Sequence, residues 1–289
     1  MKRMVLLGWV AVAIACVDVG AAQIEVPLQV AGTAVDEPVV GKAGAQIELD
    51  RAELAFGPIY LCAGAQAGEL CDTAQLEWLD AVVIDALDPA PVEAGRLRGR
   101  EGTVRSWMFD LGVVSLLTQK NPLVLAAAEQ LGGASLRIEG RAELDGVVLP
   151  FAVAVVVRQE EQTEVGVPVI RKSSSEAFEH SVAVGEPGLL VRFDARPWVT
   201  EIDFAGLLED QPCAPAGPER VCAGQTEQRC DADGDLIEAR DCAALEQVCV
   251  RARGCVELVE FSPDSQGYRA VRNRVVAGPR PDFEWGYNP

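Results

Sequence analysis

The sequence predicts a mainly β chain: a β-sandwich or jelly-roll-like domain with one or two helices, plus a small disulfide-rich inserted module. Three observations carry this. Short apolar–polar alternations recur along much of the chain, separated by Gly, Pro and Asp-Gly turn signals. Only two stretches carry paired helix start and stop signals. Six of the nine cysteines fall between positions 213 and 255, too closely spaced for a segment that buries an ordinary core.

The 289-residue chain is 49% hydrophobic and 24% charged, the balance of a folded rather than a disordered protein. Its N-terminus, "MKRMVLLGWVAVAIACVDVGAAQ", places Lys2 and Arg3 before an uncharged run from Met4 to Val17, followed by small residues. That order is an export signal, and the run is too short to span a bilayer comfortably. Two processing outcomes fit: cleavage between Ala22 and Gln23, or lipidation of Cys16 within "VAIAC". Retention as a membrane anchor is a third. The expected organisation is therefore a signal peptide at 1–22, a β-sandwich domain at 23–210, a six-cysteine module at 211–256, and a C-terminal helix and strand at 257–289 that return to the β domain. The expected location is outside the cytoplasm of a bacterium, in the periplasm, the outer membrane or at the cell surface.

A formal charge of −19 disfavours nucleic acid and anionic lipid as partners. Membrane contact is expected only through a lipid on Cys16. The partner is expected to be a protein or a small-molecule ligand, and the oligomeric state is left open.

The first mature segment, "QIEVPLQV", alternates Ile24, Val26, Leu28 and Val30 as a half-buried strand does. In "QIELDRAELAFGPIYLC", Ile47 and Leu49 share one phase. The phase shifts near Asp50-Arg51, continues at Leu54 and Phe56, and breaks at Gly57-Pro58, giving two or three strands. The most determinate element is "SLRIEGRAELDGVVLPFAVAVVV". Its Asp145-Gly146 pair fits a two-residue hairpin turn. Such a turn sets Leu144 opposite Val147, Ala142 opposite Leu149, Gly140 opposite Phe151 and Ile138 opposite Val153, with every apolar member on one face. Phe151 would then cover the gap left by Gly140. Pro150, opposite Arg141, would turn its missing N–H towards an edge or bulge.

Further strands are expected at "VPVIR", "AFEHSVAV", "GLLVRFD", "VTEIDF" and "FEWGY". One helix is expected in "NPLVLAAAEQLGG", with Asn121 as cap, Pro122 in the first turn and Gly132 as stop. A second is expected in "SPDSQGYRAVRNRVVAGP", with Ser262 as cap, Gly278-Pro279 as stop, and Tyr268, Val271 and Val275 on one face.

The module reads C-x8-C-x7-C-x11-C-x6-C-x5-C, through Cys213, Cys222, Cys230, Cys242, Cys249 and Cys255. The absence of C-x2-C spacing and of histidine argues against zinc, and the segment needs staples. Three disulfides are expected among fifteen connectivities. A fourth, Cys62–Cys71, would tie a loop at a strand end, worth about 2.5–3 kcal/mol in the chain-entropy model. The one acidic motif is "RCDADGDLIEARDC". Asp231, Asp233 and Asp235 match the first three ligand positions of an EF-hand loop, but Leu236 and Cys242 occupy the places of the required Gly and Glu. A tight turn with Gly234 at an unusual backbone angle is the better reading, with weak calcium binding the alternative.

Catalytic signatures are missing: no H-E-x-x-H, G-x-S-x-G or phosphate loop is present. His180, the single histidine, shares the phase of Phe178, Val182 and Val184, as a packed residue would. "SSSE" at Ser173–Glu176 reads as a loop. In "SWMFDLG", Trp107 and Phe109 flank Met108, and core packing outweighs a ligand patch. No cofactor is expected. The leading expectation is a non-enzymatic binding or structural role. The rivals are a periplasmic protein handling copper or calcium, and a carbohydrate-active enzyme with paired carboxylates.

The stretches "AELAFGPIYLCAG", "GTVRSWMFDLG" and "LVRFDARPWVTEIDF" resemble an uncharacterised group of exported bacterial proteins, often lipoproteins. That resemblance implies export and no particular activity. The strand pattern of "IELDRAELAFGPIYL" is similar to that of periplasmic β-sandwich proteins associated with methanobactin and copper handling. Those proteins bind copper through a pair of histidines. This chain has one, so no ligand is carried over.

Overall fold

The computed structural model describes residues 22–65, 74–114, 123–156, 171–174 and 178–288. The chain is mainly β, with curled sheets forming a sandwich-like fold. The larger sheet has eight strands, in spatial order 171–173, 106–110, 59–62, 74–78, 92–100, 23–31, 189–192 and 282–285. The second sheet runs 39–40, 46–56, 134–144, 147–156 and 259–261, with strand 82–85 also paired to 46–56. Strand Gln23–Ala31 buries Ile24, Val26, Leu28 and Val30 in the expected alternation. Its Pro27 pairs with Arg96 on one side, and the parallel pairing with strand 189–192 starts only at Leu28.

The 134–156 hairpin has the predicted register: Leu144–Val147, Ala142–Leu149, Gly140–Phe151 and Ile138–Val153 are all paired, with Arg141 opposite Pro150. Beyond it, strand 259–261 pairs only with Phe151–Val153, so Pro150 lies just past that ladder. On the other side, the register against strand 46–56 shifts between Glu139–Arg51 and Gly140–Leu49, which leaves Asp50 as the extra residue. This is the phase shift seen in the sequence. It also corrects the reading of Gly140. A Cβ there would lie 2.2 Å from the Glu48 carbonyl oxygen, so it is the neighbouring backbone that requires the glycine. Phe151 is buried and packs on Phe204 and Phe261 at ring distances of 5.2 and 6.3 Å.

Gly57-Pro58 carries the chain from strand 46–56 in one sheet to strand 59–62 in the other. Between the sheets lies one apolar core. At one end Phe56, Phe109 and Phe193 meet edge to face at 5.2–5.9 Å, and Trp107 stacks on Phe109 at 5.5 Å. "SWMFD" is thus core: Trp107, Met108 and Phe109 are all buried.

Three local expectations change. In the first helical stretch, Leu123-Val124 pair as a strand with Val113-Val114, and only Ala126–Gln130 is helical. Asn121 and Pro122 lie outside the described residues. The second helix runs Gln266–Ala277 and is capped by Ser265, whose hydroxyl accepts the Tyr268 N–H at 3.2 Å. Ser262 lies one turn earlier, where its carbonyl accepts from Ser265. Tyr268, Val271 and Val275 do form the buried face. The "VTEIDF" stretch is not a strand: it links two helical turns, Arg196–Val199 and Phe204–Leu208, and contributes only its end residues to them. Asp203 caps the second through Gly206 N–H, and Pro197 opens the first. Cap chemistry outweighs an alternation only a few residues long.

The module forms a three-stranded sheet (220–223, 226–230, 236–241) and a hairpin (248–250, 254–256). Its disulfides are Cys213–Cys230, Cys222–Cys249 and Cys242–Cys255. Each closed loop overlaps the next in sequence, which interlaces the segment. Val250 is buried in the main core, and Arg251 N–H donates to Leu207 O at 2.8 Å. Strand 259–261 and strand 282–285, which follow the module, then pair within the second and first sheets.

Candidate functional site

Strand 171–173 is an edge of the larger sheet and pairs with 106–110. Ser174 continues the attachment: its N–H donates to Trp107 O at 2.9 Å and its hydroxyl accepts the Trp107 N–H at 3.3 Å. Lys172 stands opposite Phe109. Cross-strand partners share a face, so this lysine projects from the inner side, where Phe109 packs. The segment after helix 266–277 folds over it, and Lys172 is left only 7% exposed. Its ammonium donates to the carbonyls of Gly278, at 2.7 Å, and Pro279. Burial pulls its pKa down to about 8.

Two cavities meet at this side chain. One, of about 380 Å³, is walled by Trp107, Lys172, Ser173, Ser174, Pro279 and Arg280. The other, of about 270 Å³, is more apolar, with Phe109, Phe193 and Trp198 in its wall together with Lys172 and Arg280. Asp194 also borders the second cavity, where Arg196 pairs with it at 2.7 Å. Trp107 is 1% exposed and its indole N–H has no hydrogen-bond partner among the described residues. A cleft with an aromatic wall and a few convergent polar groups is the usual form of a small-molecule site.

The predicted site residues fall elsewhere. His180 is half-buried on strand 180–182. Its ring stacks on Trp285 at 4.1 Å, and Nε2 lies 3.3 Å from Oε1 of Glu186. Phe178 and Val182 pack in the core as expected, whereas Val184 is exposed. At Asp231–Asp235 the chain makes a turn. The Asp231 carboxylate accepts from Asp233 N–H at 3.0 Å and Asp235 N–H at 2.8 Å, and Gly234 has φ of +87°. Glu227, Cys242 and Cys255 come close together, but the two sulfurs form one disulfide and Glu227 accepts Cys255 N–H at 2.8 Å. A disulfide offers no thiolate to a metal. Cys62 is disulfide-bonded. Cys71 lies outside the described residues, as do Cys16 and all but Ala22 of the signal segment. In "SSSE", Ser173 ends a strand, Ser174 lines the first cavity, and the rest lies outside the described residues.

Sequence reasoning missed Lys172. The only signal was a lysine at a strand position in phase with Ile170. Its cover comes from residues more than a hundred positions away.

The disulfides mark an oxidising, extracytoplasmic setting. Among the described residues no helix is long and apolar enough to cross a membrane. No family model, curated protein or solved structure matches the chain.

Proposed function

We propose that this is an exported, non-enzymatic binding protein of a bacterial cell envelope, which holds a small ligand in the paired cavities around Lys172. The carrying observation is that pair of cavities, walled by Trp107 on one side and by Phe109, Phe193 and Trp198 on the other, around a buried cation. The basic–apolar–small order of residues 1–22 supports export to the periplasm, outer membrane or cell surface, with processing before Gln23 or at Cys16. The interlaced module supports a role outside the cytoplasm, where staples persist.

The test is a thermal-shift screen of the mature, oxidised protein against small anionic, neutral and cationic organic molecules. Ligands that raise the melting temperature should also change the tryptophan fluorescence. That change should be lost in Trp107→Phe or Trp198→Phe. A screen with no stabilising ligand of any charge would overturn the reading.

A further inference from the structure

We propose that the paired cavities bind a small amphiphilic carboxylate. Its head group is held by the Lys172 ammonium and the Arg280 guanidinium, and its apolar body lies against Phe109, Phe193 and Trp198. This names the ligand class for the binding role proposed above and rests on it.

Lys172 lacks a counter-charge among the described residues. It is almost fully buried, yet its partners among the described residues are two backbone carbonyls, which are dipoles without formal charge. Among the described residues no carboxylate forms an ion pair with it, and no nearby charge offsets the desolvation of its ammonium. Among the described residues these two carbonyls are its hydrogen-bond partners, and an ammonium has a third N–H to donate. A buried cation is normally paired, and a ligand carboxylate supplies that pair. Arg280 borders both cavities, is exposed, and makes no ion pair among the described residues. Its planar fork suits a carboxylate.

The cavity walls select the rest of the ligand. The first cavity carries hydroxyls at Ser173 and Ser174 and, among the described residues, no acidic side chain in its wall. The second is lined largely by apolar side chains. Asp194 there is neutralised by Arg196, but Asp282 also borders it, so a dianion such as a phosphate monoester meets more repulsion than a monocarboxylate. The whole chain carries −19, so its long-range field slows an approaching anion. Affinity must come from the local contacts, and association should quicken with added salt.

The experiment compares octanoate, octanol and octylamine, three chains of equal length and different head groups, by calorimetry on the mature oxidised protein. Octanoate should bind at least about tenfold tighter than octanol, the scale of one charge-assisted contact, and octylamine should bind weakest. Octanoate affinity should fall roughly tenfold or more between about pH 7 and about pH 9.5, as Lys172 loses its proton. Arg280→Ala, at an exposed position, should weaken octanoate several-fold more than it weakens octanol. Lys172→Met, checked for folding by circular dichroism, should remove both the preference for octanoate and the pH dependence. Equal binding of octanoate and octanol would overturn the carboxylate assignment and leave the binding role standing. A preference for octanoate untouched by either substitution would overturn the assigned site. Binding of none of the three would overturn the carboxylate proposal, and the broader screen described above would then decide the binding role separately.

Discussion

The Lys172 ammonium donates to the Gly278 carbonyl at 2.7 Å, so an edge strand of the larger sheet caps the end of helix 266–277. A lysine on the inner face of an edge strand also guards that edge against pairing with another chain. Its energetic sign is readable from its titration. Burial lowers the folded-state pKa from 10.5 to about 8. Between those values the unfolded chain holds a proton that the folded chain has released. Stability should therefore rise with pH across that window, by at most about 1.4 kcal/mol per pH unit from this group. Below pH 8 both states are protonated and the group adds no slope. Urea unfolding at several pH values between 7 and 10.5 measures this, and Lys172→Met should flatten the profile. A slope unchanged in the variant would show that other groups produce it.

Gly140 gives a second, purely steric prediction. A Cβ at 140 would meet the Glu48 carbonyl oxygen at 2.2 Å, at a bulge with backbone on both sides. Gly140→Ala should cost about 1–3 kcal/mol, as overpacking does. Gly146, in the hairpin turn, has φ of +77° and open space around a Cβ. Gly146→Ala should cost about 1 kcal/mol through backbone strain alone. Thermal or urea melts rank the two. A more damaging Gly146→Ala would show that the backbone at residue 48 yields to a side chain at residue 140.

These two glycines also mark how far the sequence could be read. The Asp145-Gly146 turn and the strict alternation on either side specified ten paired residues, because turn geometry and side-chain period constrain each other. The phase slip at Asp50 was visible for the same reason. The stretch 199–204 misled because Val199 and Phe204 are buried at the ends of two helical turns, and Ile202 in the link between them, as readily as in a strand. Over so few residues the periods 2 and 3.6 do not separate, and the capping carboxylate of Asp203 decides. The candidate site was opaque. No local pattern marks a lysine whose cover is a helix end far along the chain, and cavities are products of packing.

The disulfide pattern yields a third prediction. Non-reducing peptide maps should recover Cys213–Cys230, Cys222–Cys249 and Cys242–Cys255, one of the fifteen pairings open to six cysteines. Cys222–Cys249 ties the first strand of the module to its hairpin, and both residues are buried. Replacing that pair by Ala should cost about 2–5 kcal/mol. Any bridge between Cys62 and the module would contradict the arrangement.

The last prediction concerns the acidic turn. Oδ1 of Asp231 already faces two backbone N–H groups, from Asp233 and Asp235, and the Asp231 N–H donates to Asp235 O at 2.9 Å. That oxygen is committed to donors. Calcium takes six to eight oxygens, and the nearest extra carboxylate in the motif, Glu238, is paired with Arg229 at 3.4 Å. Cys242, at the position of the bidentate glutamate in an EF-hand loop, is bridged to Cys255. The carboxylate of Asp231 thus holds a turn, and its acceptor matters more than its charge. Asp231→Asn keeps an acceptor at the same atom and should change stability by less than about 0.5 kcal/mol. Asp231→Ala removes the acceptor of two backbone donors and should cost about 1–2 kcal/mol. Calorimetry on the oxidised protein should find no micromolar calcium binding, leaving only weak association at millimolar concentrations. Tight binding that Asp233→Asn abolishes would reverse the assignment and make this turn a metal site.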